Sequence, residues 1–287
     1  MSVVLARRPS SSYYQRQVVA IGNFDGLHLG HQALLQKASV VLTFEPYPQV
    51  YFHPERKIPR LTTLREKAHL LEKMGPQMLY ALPFDQTMAQ LPPERFIQTI
   101  LMNQLQAEKI IVGEDFRFGY QRQGNIETLK NYLDVDVISP VLYQQKRISS
   151  TWVRESLQTG DVNTVKDLLG RYYSMIGRVV RGDGRGRKLG FHTANISLQK
   201  RLSPLLGVYA VKVNHTLKGV ANIGSRPTVD GTRHFLEVHL FDFDKDIYGE
   251  YIEVEFVHKI RDEKKFDSLN ALQEQIKLDI QLARDLR

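Results

Sequence analysis

The stretch GNFDGLHLGH, at 22–31, constrains this chain more than any other, because it begins where an apolar run (18–21) stops and ends where a helical pattern (32–38) starts. A strand that feeds a glycine turn and then a helix is the layout of an anion site. Gly22 and Gly26 let the backbone reverse and approach a ligand without a Cβ in the way. The helix that follows offers unpaired N–H groups and the positive end of its dipole. His28 and His31 are three apart, so both imidazoles can lie on one face of that end and converge on one phosphate. Either histidine alone reads equally well as a cap or a surface residue; the HxGH pair after a strand and a glycine turn is the specific signal. The turn lacks the GK[ST] ending of a P-loop and the three-glycine spacing of a dinucleotide fingerprint, which excludes both of those phosphate modes.

With 287 residues the chain is expected to form one large or two ordinary domains, each able to bury a core. No apolar run approaches the roughly 18 residues of a membrane span. The opening MSVVLARRPSSSYYQRQ has no apolar core after its basic residues, so it reads as a frayed terminus and not a signal peptide, and the expected location is the cytoplasm. The absence of cysteine excludes disulfides, thiolate chemistry and cysteine-based metal sites. A net charge of +8 raises nucleic-acid binding as an alternative. Residues 1–171 hold 20 Lys and Arg against 16 Asp and Glu, and residues 172–287 hold 19 against 15, so the charge is spread without a basic patch. A diffuse positive balance suits small polyphosphate ligands and gives nucleic acid no docking stripe.

Residues 40–44, closed by Pro46 and Pro48, read as a buried strand, so strand, helix, strand forms a βαβ unit of a parallel sheet. Eleven residues separate His31 from Thr43, close to the lower limit for a crossover containing a helix. In LTTLREKAHLLEKMG (61–75), Thr62 or Thr63 caps a helix whose Leu64, Ala68, Leu71 and Met74 recur at helical spacing before Gly75. A strand at 78–83, a helix from Pro92 carrying Phe96, Ile100, Leu101 and Leu105, and a strand at 109–113 continue the alternation. This is a doubly wound α/β pattern, in which ligands bind beyond the carboxyl ends of the strands. By that rule VGEDFRFGYQRQG (112–124) is a second candidate: its rings and arginines could serve a flat ring and its phosphates, or merely anchor the loop. In RISSTWVRESL (147–157), Ser149, Ser150 and Thr151 open an amphipathic helix with Arg154 one turn in, which reads as a phosphate site or as a plain capped helix.

After a helix at 161–169 and Gly170 the pattern changes to short strands at 173–181, 207–213, 218–223, 234–241 and 251–257, separated by turn residues. That spacing predicts a compact antiparallel barrel, closed by one helix whose stripe is Leu269, Leu272, Ile276, Ile280, Ala283 and Leu286. The domain boundary is expected near Arg171, giving domains 1–171 and 172–287. GDGRGRKLGFHTANI (182–196) sets four glycines and three cations before Thr193 and Asn195. Such a loop can wrap a polyphosphate and offer oxygens to a hard cation such as Mg²⁺, or it is a solvated hairpin. In FLEVHLF (235–241), Leu236, Val238 and Leu240 share one face and leave Glu237 and His239 on the other.

The HxGH stretch resembles the GxFDGxHxGH signature of the adenylyltransferase half of the bacterial bifunctional riboflavin kinase/FAD synthetases, within the HxGH nucleotidyltransferase superfamily. VGEDFRFGYQRQG resembles the same half, and ISSTWVR resembles the element that partners HxGH in the superfamily. The loop at 182–196, LEVHLFDFDKDIYG (236–249), ANIGSRPTV (221–229) and IRDEKKF (260–266) are similar to the kinase half, and the likeness runs from Val19 to the last helix. It implies a nucleotidyltransferase domain followed by a six-stranded riboflavin kinase barrel. It further implies an enzyme making FMN from riboflavin and FAD from FMN, with ATP as co-substrate, Mg²⁺ as cofactor and small molecules as partners; a monomer is the default for its oligomeric state, which the sequence does not give. The implied roles are phosphate stabilisation by His28 and His31, grip on the leaving pyrophosphate by Arg154, Ser150 and Thr151, and general base for Glu237. ATP and its metal fall to Gly22, Phe24, Gly30, Gly182, Arg185, Gly186, Gly190, Thr193 and Asn195, and flavin to Asp115, Phe116, Arg117, Arg226 and Arg261. Departures are Tyr47 where the family has histidine, His192 where it has proline, and the short first crossover. Each bears on one half, so an enzyme with a single live activity is the alternative.

Overall fold

Six parallel strands open the chain, which a computed structural model describes at residues 2–5, 16–182, 193–198, 201–228 and 231–286. They are β1 (Ser2–Leu5), β2 (Gln17–Ile21), β3 (Val40–Glu45), β4 (Met78–Pro83), β5 (Ala107–Gly113) and β6 (Asp134–Ile138), in the order β1-β4-β3-β2-β5-β6. The connections carry α1 (Leu29–Leu35), α2 (Pro48–Phe52), α3 (Leu64–Glu72), α4 (Gln86–Ala89), α5 (Pro93–Arg95), which runs into a π-helix at Phe96–Gln104, and α6 (Ile126–Lys130). The order reverses between β2 and β5, and an open α/β sheet offers its ligand crevice at such a switch point. Both the HxGH turn and the loop after β5 leave the sheet there. Alternate strand residues feed two cores: Val19, Ile21, Val40 and Leu42 face the π-helix residues Ile97 and Leu101, while Ala20 and Val41 face Leu35, Leu70 and Leu71. The short crossover is made by two turns of helix, α1, whose Leu35 and the following Ala38 are buried.

A small hairpin, β7 (Leu142–Tyr143) with β8 (Lys146–Arg147), leads to α7 (Ser150–Thr159) and α8 (Val162–Leu169). The barrel follows: β9 (Tyr173–Val180), β10 (Thr193–Ser197), β11 (Gly207–Val213), β12 (Leu217–Thr228), β13 (Gly231–Leu240) and β14 (Tyr251–Arg261) close in the order β10-β13-β12-β11-β14-β9. The C-terminal helix is α9 (Leu269–Asp285), whose Ile280, Ala283 and Leu286 pack on Val208, Ala210, Val220 and Phe241. The expected doubly wound sheet, barrel and closing helix are all present. Five strands lie outside the expectation: β1, the edge strand β6, the hairpin pair β7 and β8, and β10, whose residues read as the end of a loop. Leu269 is not in the stripe of α9: it is 69% exposed, and the buried position one turn before Ala283 is taken by Asp279.

Contacts group Met1–Ile58 with Thr62–Ser149 in one unit, and Pro59–Leu61 with Ser150–Arg287 in the other. This division falls earlier than Arg171, where the sequence pattern changes. The helices α7 and α8 pack on each other, and α8 packs on β9 and β14, so they travel with the barrel although their sequence still reads as α/β.

Candidate active site

The turn after β2 is held in a conformation that its sequence alone would not adopt. Phe24, Gly26 and Leu27 all have positive φ, at 49°, 83° and 48°. Left-handed backbone costs a non-glycine residue about 1 kcal/mol or more, so surrounding structure must enforce it. Two devices do so. Phe24 and Leu27 are fully buried among Leu35, Leu70, Leu71 and Leu79. Asp25, 2% exposed, accepts from the Thr62 N–H at 2.9 Å, the Thr62 hydroxyl at 3.2 Å and the Tyr47 hydroxyl at 3.1 Å, while the Gly26 N–H donates to Thr62 Oγ1 at 3.0 Å. Thr62 is thus spent on the turn, and Thr63 caps α3 in a reciprocal box with Glu66. The buried Lys67 donates from below to the Asn23 carbonyl at 2.6 Å and to Thr43 Oγ1 at 3.0 Å. Tyr47 keeps a polar tie to Asp25 at the position where histidine was expected.

His28 is the N-cap of α1, with its Nδ1 accepting from the His31 N–H at 3.2 Å. A neutral His28 therefore carries its proton on Nε2. The two imidazoles stack with centroids 3.6 Å apart and planes 16° from parallel, and Phe24 meets His31 edge-on at 5.3 Å. Gly30 makes the stack possible, since a Cβ there would lie 3.1 Å from the His28 ring. Burial, then the neighbouring His28 and Lys67, push His31 well below the usual histidine value, so it is neutral near pH 7. Its Nδ1 is buried without a hydrogen-bond partner, an arrangement that costs about 1–3 kcal/mol unless a ligand atom meets it. Gly22 lies against the Phe24 ring, and Phe24 itself is core, supporting His31 and presenting no exposed face.

Beyond the carboxyl ends of β3, β4 and β5 the first unit carries a chain of aromatic rings that periodicity did not reveal. Phe84 meets Phe44, Tyr51 and Phe52 at 5.4–5.7 Å, Phe44 meets Phe96 at 6.4 Å, and Phe96, Phe118 and Phe116 follow at 5.5 Å each. Phe52, at one end, is 56% exposed. Asp115 and Arg117 are exposed; Asp115 pairs with Arg147 at 3.0 Å, which lowers the carboxyl's pKa, and Arg117 donates to the Phe116 carbonyl.

In the second unit α7 begins at Ser150, with Thr151 exposed and Arg154 donating from Nε to the Pro59 carbonyl at 2.8 Å. In the barrel, ladder register does the assembly. Asn195 on β10 lies directly opposite Glu237 on β13, and Asn222 on β12 flanks Glu237 from the other side. Leu236, Val238 and Leu240 are buried while Glu237 and His239 are half-buried, as the alternation requires. Gly182 abuts Asn195, and any side chain at 182 would collide with that carboxamide. A cavity of about 280 Å³ is lined by Thr193, Ala194, Phe243 and Tyr248 among others, with the Arg181 guanidinium 5.8 Å from the Tyr248 ring. Arg185, Gly186, Gly190 and His192 lie outside the described residues, as does the Arg226 side chain. Arg261 is held away from a simple ligand role: its guanidinium forks onto the buried Asp279 at 2.7–3.1 Å.

A family model described as FAD synthetase matches residues 10–152, and one described as riboflavin kinase matches residues 169–287. A protein of Haemophilus influenzae named bifunctional riboflavin kinase/FMN adenylyltransferase is 41% identical, over 99% of this chain and 98% of its own length. The chain belongs to that family. An Escherichia coli member is 42% identical over 93% of this chain and 92% of its own. Among solved structures, one titled macrolide-efflux protein from Streptococcus pneumoniae matches at a TM-score of 0.85 and 32% identity, covering 99% of both chains. Among the described residues of this family member no helix is long and apolar enough to cross a membrane.

Proposed function

We propose that the chain is a bifunctional flavin-cofactor enzyme that phosphorylates riboflavin to FMN and adenylylates FMN to FAD, with ATP as co-substrate in both steps. The observation that carries this reading is the end-to-end match, in which two family models fall in tandem on stretches bearing two separate constellations of polar residues. Adenylyl transfer belongs to residues 1–171 and phosphorylation to residues 172–287.

In adenylyl transfer an FMN phosphate oxygen attacks the α-phosphorus of ATP, the bond to the β-phosphate oxygen breaks, and pyrophosphate leaves. Negative charge grows on the equatorial oxygens, and fixed donors aimed there lower the barrier. His28 supplies Nε2–H, and the neutral His31 offers the ring nitrogen that lacks a protein partner. No general base is needed, because a phosphate monoester is already an anion. The ring chain ending at Phe52, with Phe116, gives the flat isoalloxazine an apolar platform.

In phosphorylation Glu237 takes the proton of the riboflavin 5′-hydroxyl as that oxygen attacks the γ-phosphorus and ADP leaves. The cavity beside Thr193 and Tyr248 receives the nucleoside of ATP. Thr193 and Asn195, two apart on β10, share a face and offer neutral oxygens, a donor set that suits a hard cation already paired with a triphosphate. Thr193 and Asn195 would hold Mg²⁺, which would supply charge neutralisation to the bound triphosphate. The protein acts in the cytoplasm on small molecules.

Chromatography of purified protein incubated with riboflavin, ATP and Mg²⁺, and separately with FMN, ATP and Mg²⁺, tests the reading. FMN and FAD in the first reaction and FAD in the second are expected. FMN alone, or FAD only from supplied FMN, establishes a single live half; no product in either overturns the reading.

A further inference from the structure

Lys67 is 1% exposed, on the face of α3 that carries Leu70 and Leu71 into the core. Its ammonium donates to the Asn23 carbonyl and to Thr43 Oγ1, and the Thr43 hydroxyl donates to the same carbonyl at 3.2 Å. These contacts stitch the middle of the 22–31 turn to β3. The same ammonium stands 4.9 Å from the Tyr47 ring centroid, and Tyr47 is one of the residues that hold Asp25. Burying an ammonium costs several kcal/mol, whereas methionine would fill much of the space without that cost. The charge is therefore kept for what it does locally. It also lies near enough to His31 to act, after burial and His28, on that imidazole.

We infer that Lys67 is a positioning residue for adenylyl transfer: it pins the Asn23 carbonyl to β3, which holds the left-handed turn and the stacked histidine pair, and it places a fixed positive charge beneath them. The inference rests on the reading of the HxGH turn as the adenylyl-transfer site. A merely structural lysine would tie turn to strand without affecting turnover at a given folded fraction.

The test compares full-length wild type, Lys67→Met, Lys67→Gln and Thr43→Val for FAD formation from FMN and ATP, with kcat and KM measured separately and unfolding followed by circular dichroism. Lys67→Met is expected to lower kcat about 100-fold with KM values within about threefold of wild type, and an unfolding midpoint no lower than wild type. Thr43→Val, which removes one tie and keeps the charge, is expected to lower kcat about threefold. FMN formation from riboflavin is expected to be unchanged in all variants. A Lys67→Met enzyme within about twofold of wild-type kcat overturns the inference, as does a loss of kcat that follows a loss of folded protein. If Lys67→Met does not fold, Thr43→Val decides: a lower kcat at an unchanged midpoint supports the inference and an unchanged kcat overturns it. Wild type that makes no FAD, or a His28→Ala variant that still makes it, overturns instead the reading of the turn.

Discussion

The two candidate sites are built by opposite means. In the first unit His28 and His31 sit on a turn with three left-handed residues, held through its own Asp25 by Tyr47 and Thr62 and through its Asn23 carbonyl by Lys67. In the barrel, Asn195, Glu237 and Asn222 meet because adjacent strands pair in register, and the backbone ladder itself sets their spacing. A site on a strained turn depends on side chains far from the chemistry, whereas a site on a ladder depends chiefly on the residues in the row. The first is therefore sensitive to remote polar substitutions, and the second to steric intrusion beside the row.

The sharpest break between the two is chemical. His28→Ala is expected to reduce FAD formation by about 1,000-fold and leave FMN formation intact, and Glu237→Gln to do the reverse, read from product chromatograms with each substrate supplied separately. Loss of both activities from either change in folded protein would break the two-site division. Next in size, Asp25→Ala leaves the Thr62 N–H without its acceptor and the Tyr47 hydroxyl with only the Thr62 carbonyl of its two. It is expected to destabilise the first unit by about 2–4 kcal/mol in urea unfolding and to depress FAD formation, with FMN formation unaffected. Gly182→Ala drives a methyl into the Asn195 carboxamide, so riboflavin phosphorylation is expected to fall about tenfold through KM for ATP at unchanged overall stability.

The smallest effect is on pH dependence. His31 in the folded protein lies below its ordinary value of 6.5, so the unfolded chain takes up the proton first. Its contribution to stability is full above about 6.5 and is lost as pH falls through the depressed folded value. Acidifying from about pH 7.5 to 5 is therefore expected to lower the thermal midpoint of the first unit, and His31→Gln to flatten that dependence, as scanning calorimetry would show.

Much of this was legible in the chain. The HxGH turn and the alternation at 235–241 are local patterns, and local patterns survive translation into structure because backbone geometry dictates period and turn chemistry. Asp25 and Lys67 were less legible: Lys67 interrupts an otherwise apolar stripe of α3, a signal of a buried charge, but its partners Asn23 and Thr43 are distant in sequence. Phe24 illustrates the reverse, since its place in a ligand motif did not reveal that its ring is core. Arg261 likewise lies in a family motif, yet its guanidinium goes to Asp279 because a buried carboxylate needs a paired cation. The strand at Thr193–Ser197 was hidden because its three outward residues, Thr193, Asn195 and Ser197, are all polar and its ladder partners, β9 and β13, come from elsewhere in the chain.

By itself the sequence determined the two fold classes, their order, and which residue types could meet phosphate, since periodicity and glycine turns are properties of neighbouring residues. Tertiary structure decided the tautomer of His28, the depressed titration of His31, the burial of Phe24, the aromatic platform beside Phe116 and the pairing of Asn195 with Glu237. Each of those depends on which distant groups remove water from a side chain or stand beside it, and only the folded chain brings such groups together.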